Sequence, residues 1–510
     1  MISRKSAALG LLAFVLAACG QAEETPAPPS TDAAIEPTTT QPHADASPQV
    51  PAPGPGTTRT TPVCLADIET VFTTTSLNSF VLQIEAALAR AQAEHGVIPV
   101  EAAAEITASA IPASIPHEEI NAENAIVRHR MVALLNVWRS RLSPETADYL
   151  HYGATTVDIY DSARMLQLRA SVFLLIEDLQ ELEDALIDLA REHRDTPMIG
   201  RTLGQHALPI TFGKKLSGYI GENRRHIDRL SDLLDRIERS VIMKGAVGSY
   251  VGLGDSAMAI EQSFARELGL EPPYLDDWHA ARDVFAEYAG VLSLIARSQG
   301  RFGQEIFLLQ GNDIGEVVER RPVTAVGSST MPHKNNPSLS EALIQRARII
   351  PRLAEIVADD MNNMFERDNT SRPNSMLGEI SIDTENMLSE ARRLVQRLDV
   401  NEARMRDNLD RTGGWILAQR FVFALSPAMG REAAEEHLRV LAAEARSSGA
   451  SFYAIAPSDP VIADALPSNE IERLLDPTSY TGLAAPQTDA VIAAALQART
   501  SDPVNECQTP

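Results

Sequence analysis

The residues best equipped for chemistry crowd into one short loop, Gly327-Ser328-Ser329-Thr330-Met331-Pro332-His333-Lys334-Asn335-Asn336-Pro337. Pro332 and Pro337 interrupt any regular helix there. Gly327 lets the backbone bend tightly, so neighbouring N–H groups can converge on an anion. Ser328 and Ser329 supply hydroxyls, Lys334 a point charge and Asn336 an amide. A helix is expected behind the loop. Either Asn336 caps it with Pro337 at the first position, or Ser338 caps it in a capping box with Glu341. Both arrangements set the positive end of a helix dipole beside the loop. Such a site suits a carboxylate and the negative charge that can develop on it.

Long helices are expected to position this loop. Leu168, Val172, Leu175, Leu179, Leu182, Leu186 and Leu189 step by four and three without a break. Leu216, Ile220, Ile227, Leu230, Leu234 and Ile237 repeat the pattern, with Asn223 in the skipped position. Further helical patterns cover 280–309, 339–364 and 373–398. An earlier one starts at Phe80 and ends at Gly96-Val97-Ile98-Pro99. Seams of this kind argue a helix bundle. Strands do not alternate with crossovers, so the fold class is all-α. From about Asn401 the helices are shorter, broken by Gly413-Gly414, Pro427 and Pro457, and the last twenty or so residues read as a packed tail.

Other segments also carry reactive side chains. His151-Tyr152-Gly153-Ala154-Thr155-Thr156-Val157-Asp158 places hydroxyls and a glycine before a helix, either to bind an anion or simply to cap that helix. Arg128-His129 is expected inside a helix running to about Arg141. Between the first two long helices lies Met198-Ile199-Gly200-Arg201-Thr202-Leu203-Gly204-Gln205-His206-Ala207-Leu208-Pro209, and beyond the second lies Lys244-Gly245-Ala246-Val247-Gly248-Ser249. Phe365-Glu366-Arg367-Asp368-Asn369-Thr370 follows the reactive loop, with Arg372 close behind.

The loop 327–336 closely resembles the signature of the fumarase/aspartase superfamily, Gly-Ser-Ser-x-Met-Pro-x-Lys-x-Asn, with every fixed position present. Residues 151–158, 200–209 and 365–370 resemble further segments of its adenylosuccinate lyase and 3-carboxy-cis,cis-muconate cycloisomerase branch, in the family's order. The resemblance implies three all-α domains: an N-terminal one over 63–160, a long central helix bundle over 161–400, and a small C-terminal one over 401–510. It implies a homotetramer with a twenty-helix core, in which each site draws on three subunits.

The same resemblance implies anti β-elimination of a small anionic carboxylate substrate with C–N or C–O cleavage, usually releasing fumarate. Ser328 would be the base. Lys334 and Asn336 would hold the carboxylate, with Ser329, Met331, Thr155, Thr156, His151, Arg201, Thr202, Gln205 and Arg367 as further contacts. No metal or organic cofactor is implied. The sequence departs from the family at Leu203, where adenylosuccinate lyases keep the histidine that protonates the leaving group. Leucine cannot transfer a proton. His129, His206 or a water could replace it, or the leaving group needs no proton. Leu203 favours a cycloisomerase acting on a muconate as the alternative. A binding or scaffold protein that keeps the fold is the alternative outside enzymes.

At 510 residues the chain can bury several domains. Acidic residues outnumber basic ones, 69 to 45, which argues against a nucleic-acid partner. Residues 1–18 read as a signal peptide. Arg4 and Lys5 precede an apolar run too short to span a membrane, and it ends in Leu16-Ala17-Ala18-Cys19. That ending resembles a bacterial lipobox, which implies cleavage before Cys19 and its lipidation. Gly20 follows rather than aspartate, which favours the outer membrane. Residues 19–62, rich in Pro, Thr and Ala, read as an extended tether. The expected location is thus the cell envelope, with the catalytic part in the periplasm or outside. An oxidising compartment would permit a disulfide between Cys64 and Cys507, or leave two free thiols.

Overall fold

The structure, a computed structural model, describes residues 63, 65–276, 279–322, 324, 328–368 and 374–505. The leader, the tether, Cys19, Cys64, Cys507, Gly327 and Arg372 lie outside the described residues. Helices make up 67% of the described residues, with four short strands. Helix α1 (Thr74–Glu94) is capped by Thr73, whose side chain accepts the Ser76 N–H. Helix α2 spans Arg130–Arg139. Five long helices follow: α3 (Thr156–Glu192), α4 (Phe212–Arg239), α5 (Asp283–Leu309), α6 (Ser338–Asp359) and α7 (Asn374–Gln396). Every leucine and valine of the expected α3 seam is buried, as is every apolar residue of the α4 seam. Asn223, in the skipped position, is buried too, because its side-chain N–H₂ donates to the Leu179 carbonyl of α3 at 2.8 Å.

The five helices run alternately up and down. Arg282, which leads into α5, pairs with Asp161 near the start of α3. Ser340 and Leu343 of α6 crowd Gly303 near the end of α5. The Tyr288 hydroxyl of α5 bonds Ser381 near the start of α7. The starts of α3, α5 and α7 therefore share one end of the bundle, called here the lower end. Two small antiparallel pairs close the upper end. Strands β1 (Pro197–Thr202) and β2 (Gln205–Thr211) form a hairpin between α3 and α4. Strands β3 (Val317–Glu319) and β4 (Leu398–Val400) pair beside it.

A second core, built on Phe421, Leu425, Leu438, Phe452 and Leu474, fills part of the C-terminal region. Pro427 lies inside a helix there (Ala418–Met429) and does not break it. The expected tail is partly a helix, α8 (Ala484–Ala498), whose Ile492 and Ala495 join the core of the bundle. Arg499 then pairs with Glu183 of α3, and Asp502 with Arg224 of α4. As a result Val63, Leu65 and Asn505 line one cavity against Phe173 of α3, so the two ends of the described chain meet.

The seam between α3 and α7 holds a charge conflict. Burial, then the nearby Glu385 carboxylate, pushes Asp178 from an ordinary 3.8 up to about 7. A carboxyl with a raised folded pKa favours the fold most below its unfolded value, and that contribution is lost as pH rises from about 4 to 7. Asp178→Asn is therefore expected to raise stability at pH 8 by roughly 1–3 kcal/mol and to change it little at pH 4. Urea titrations at both pH values test this; equal effects at the two would refute it.

Candidate active site

At the lower end, segment 151–158 is held by a network of its own. The buried Asp158 carboxylate accepts from the backbone N–H groups of Thr155, Lys244 and Gly245, each at 3.0 Å. This ties the start of α3 to the turn at 244–249. Burial raises the Asp158 pKa to about 6 against those three donors. Gly153 has φ +73°, and a Cβ there would stand 2.6 Å from Leu253 Cδ2. Only glycine fits this approach. His151 also has a left-handed backbone, φ 64°. Its Nδ1 lies 2.6 Å from Oε1 of Glu85, a buried carboxylate on α1. Thr155 precedes α3 and Thr156 opens it.

His129 does not lie within a helix. Arg128, at φ 54°, closes the helix His117–Val127, and His129 caps α2, its Nδ1 accepting the Val132 N–H at 3.3 Å. Its side chain is exposed. Arg367 is exposed too, in the loop after the lower end of α6, beside Phe365, which is 89% exposed.

At the upper end the hairpin is fixed to Glu316, just before β3, and the loop to Glu319 within it. Ser328 Oγ accepts the Met331 N–H at 3.1 Å and the Thr330 N–H at 3.5 Å. Donors aimed at a hydroxyl oxygen favour its deprotonated form. Ser329, Met331 and Lys334 are exposed and Asn336 is half-buried. Asn335, rather than Asn336, is tied down: its side-chain N–H₂ donates to the Glu319 carbonyl at 3.1 Å.

Neither Asn336 nor Ser338 caps α6. The cap is Glu319, nineteen residues before the helix, whose carboxylate accepts the Leu339 N–H at 3.0 Å and the Ser340 N–H at 3.1 Å. The positive helix end is thus filled by the protein's own carboxylate, and the charge offered to a substrate comes from Lys334 and the loop N–H groups. Glu319→Ala leaves two N–H groups without an acceptor and is expected to lower stability by roughly 2–4 kcal/mol. Chemical denaturation measures this, and a midpoint equal to that of the native chain would count against it.

Arg201 of the hairpin forms a two-pronged pair with the buried Glu316, at 2.9 and 2.6 Å, and Asn408 donates to the same carboxylate at 2.8 Å. Its charge is compensated, so it serves as the anchor of the hairpin rather than the expected substrate contact. Leu203 and Gly204, at φ 52° and 75°, make the tight turn. Thr202 and Gln205 flank that turn in register and are exposed, and Leu203 is 98% exposed. His206 faces Arg201 across the ladder. Burial, then Arg201 and Arg411, holds its pKa below the ordinary value, so it is a poor proton donor at neutral pH.

The structure therefore joins Ser328, Lys334, Asn336, Arg201 and His206 at one end of the bundle, and His129, His151, Thr155, Thr156 and Arg367 at the other. Helix α3 alone, 37 residues long, separates the two ends by about 55 Å. Sequence reasoning missed Glu85, Glu316 and Glu319. None of the three is announced by its neighbours in the sequence.

Residues 66–351 match the sequence family described as Lyase, and 414–491 the one described as Adenylosuccinate lyase C-terminus. The chain is 35% identical to the adenylosuccinate lyase of Methanocaldococcus jannaschii, over 81% of this chain and 90% of that one. It is 34% identical to the N-acetyl-S-(2-succino)cysteine lyase of Enterococcus italicus, with the same coverage. Among solved structures, the 3-carboxy-cis,cis-muconate lactonizing enzyme of Pseudomonas putida superposes with a TM-score of 0.76 at 33% identity, over 85% of this chain and 97% of that one. With the full loop motif and the up-and-down bundle that carries it, these similarities mean that the chain belongs to the fumarase/aspartase superfamily and is an enzyme of that group.

Proposed function

We propose that the enzyme catalyses anti β-elimination of a succinyl-type substrate and releases fumarate. The observation that carries this reading is the pair of N–H groups on Ser328 Oγ. They stabilise the deprotonated oxygen, so more of the serine stands ready to take the weakly acidic C–H proton next to a carboxylate. Lys334 and Asn336 would hold that carboxylate as its second negative charge develops. The bond from the adjacent carbon to the leaving group then breaks.

The complete site needs more than one copy, because its halves lie at opposite ends of one bundle. A homotetramer of paired bundles fits. Leu294, Phe307 and Leu308 of α5 and Ile349 and Ile356 of α6 leave large apolar side chains exposed. The exposed Leu203 tip would then insert into a neighbouring copy. A lipid anchor at Cys19 and an envelope location complete the proposal. Metabolic labelling with a fatty acid tests the anchor, and absence of label would remove it.

Incubation with a panel of succinylated amines, alcohols and thiols, followed for fumarate, tests the reaction. Turnover of at least one member is expected. The second reading, a cycloisomerase, is favoured by Leu203 and by the likeness to the lactonizing enzyme. Consumption of a muconate with lactone formation, and no turnover in the panel, would replace the first reading by the second.

A further inference from the structure

We infer that His151, held by Glu85, is the proton donor to the leaving group, in place of the acid that Leu203 cannot be. The inference rests on the lyase reading above and names the acid half of that site.

Of the three histidines at the candidate site, only His151 has the geometry of a donor. His129 uses Nδ1 as a helix cap and is exposed. His206 has two arginines beside it that disfavour a proton. His151 has Nδ1 at 2.6 Å from a carboxylate whose side chain is fully buried. That contact fixes the ring and stabilises its imidazolium, while no partner for Nε2 is found among the described residues. The backbone of His151 is left-handed, a strained state kept where the surroundings over-determine it, commonly at a functional site.

The groups facing the ring come from three helices: Glu85 on α1, Arg139 on α2 and Asp158 on α3. Burial and Arg139 disfavour the proton, and Glu85 and Asp158 favour it. The balance is a raised pKa, so a charged ring persists further towards neutral pH. Thr155 and Thr156, four and five residues on, would put substrate beside it.

The step balances. Ser328 of another copy takes the C–H proton, and that electron pair becomes the second bond of the alkene. The C–N or C–O pair departs with the leaving group, which receives the Nε2 proton. His151 is left neutral, and the proton on Ser328 returns to it through solvent.

The test uses one succinyl half with three leaving groups: an alkyl alcohol, an arylamine and an arylthiol. Glutamine has no proton to give, so His151→Gln is expected to lower kcat about 10²–10⁴-fold for the alkyl alcohol, whose oxygen carries no proton until the bond breaks. For the arylthiol, which departs as a stable anion, the loss should be under about tenfold. Glu85→Gln is expected to move the alkaline limb of the kcat–pH profile to lower pH. Equal losses across the three leaving groups, or a change in KM alone, would overturn the inference. A second measurement does not depend on turnover. The His151 ring, followed by NMR and identified by its loss in His151→Gln, should titrate above an ordinary histidine in the native chain, and at or below it in Glu85→Gln. Titration at or below the ordinary value in the native chain overturns the inference. A native enzyme that turns over no member of the series overturns the lyase reading instead.

Discussion

Ser328→Ala is expected to lower kcat for fumarate release by about 10³-fold or more, with KM changed by less than about threefold. The reason lies in what the hydroxyl does in the loop. Its oxygen is the acceptor for two N–H groups, and removing it deletes the base. Lys334 and Asn336 remain to bind the ground-state carboxylate, which is why KM should hold. Ser329→Ala is the control. That side chain is exposed, and its loss should cost less than about tenfold. Steady-state kinetics on any substrate from the panel decide the matter, and a Ser328→Ala enzyme with near-native kcat would remove serine from the role of base.

Mixing two inactive variants should restore activity. Ser328→Ala lacks the upper half of the site, and the double change Thr155→Ala with Thr156→Val lacks the lower half. One chain cannot bring its own halves together across about 55 Å of α3. In a symmetric oligomer each site takes the halves from different chains, so random mixing leaves about one site in four with both halves native. Co-unfolding and refolding the two variants should therefore recover about a quarter of native activity. Recovery of nothing, from a mixture shown by mass to contain hybrids, would mean that each chain builds its own site.

The heptad seams of α3 and α4 were legible because a buried stripe must repeat at helical spacing, and Asn223 could sit in one by bonding a carbonyl across the seam. The start of α3 at Thr156 was legible from the hydroxyls and glycine before it, but not that its first turns pack against 242–245 rather than along the bundle. The hairpin was not legible as strands: it is short, and Leu203-Gly204 lacks the asparagine or aspartate that usually announces such a turn. Arg128 gave no warning that it would end a helix, because nothing in a local window selects a left-handed arginine. Of the site, the loop was legible and its supports were not. Glu319 caps a helix from a distant strand, and Glu85 reaches His151 across 66 positions of sequence. Local patterns carry no record of such partners.

The meeting of Val63 and Asn505 in one cavity gives the folded body the topology of a closed ring. Asn505 is fixed there by donating to Glu177 of α3 at 3.0 Å. A chain in which residue 505 is joined to residue 63 by a short glycine-rich linker can therefore be reopened elsewhere. Gly449, exposed and left-handed at the end of the helix Arg431–Ser448, is a suitable place. This permutant is expected to keep the native helical circular-dichroism signal and to melt within about 5 °C of the original order. The order of the helices along the chain is then a matter of where the ring was cut, and the bundle is specified by its seams.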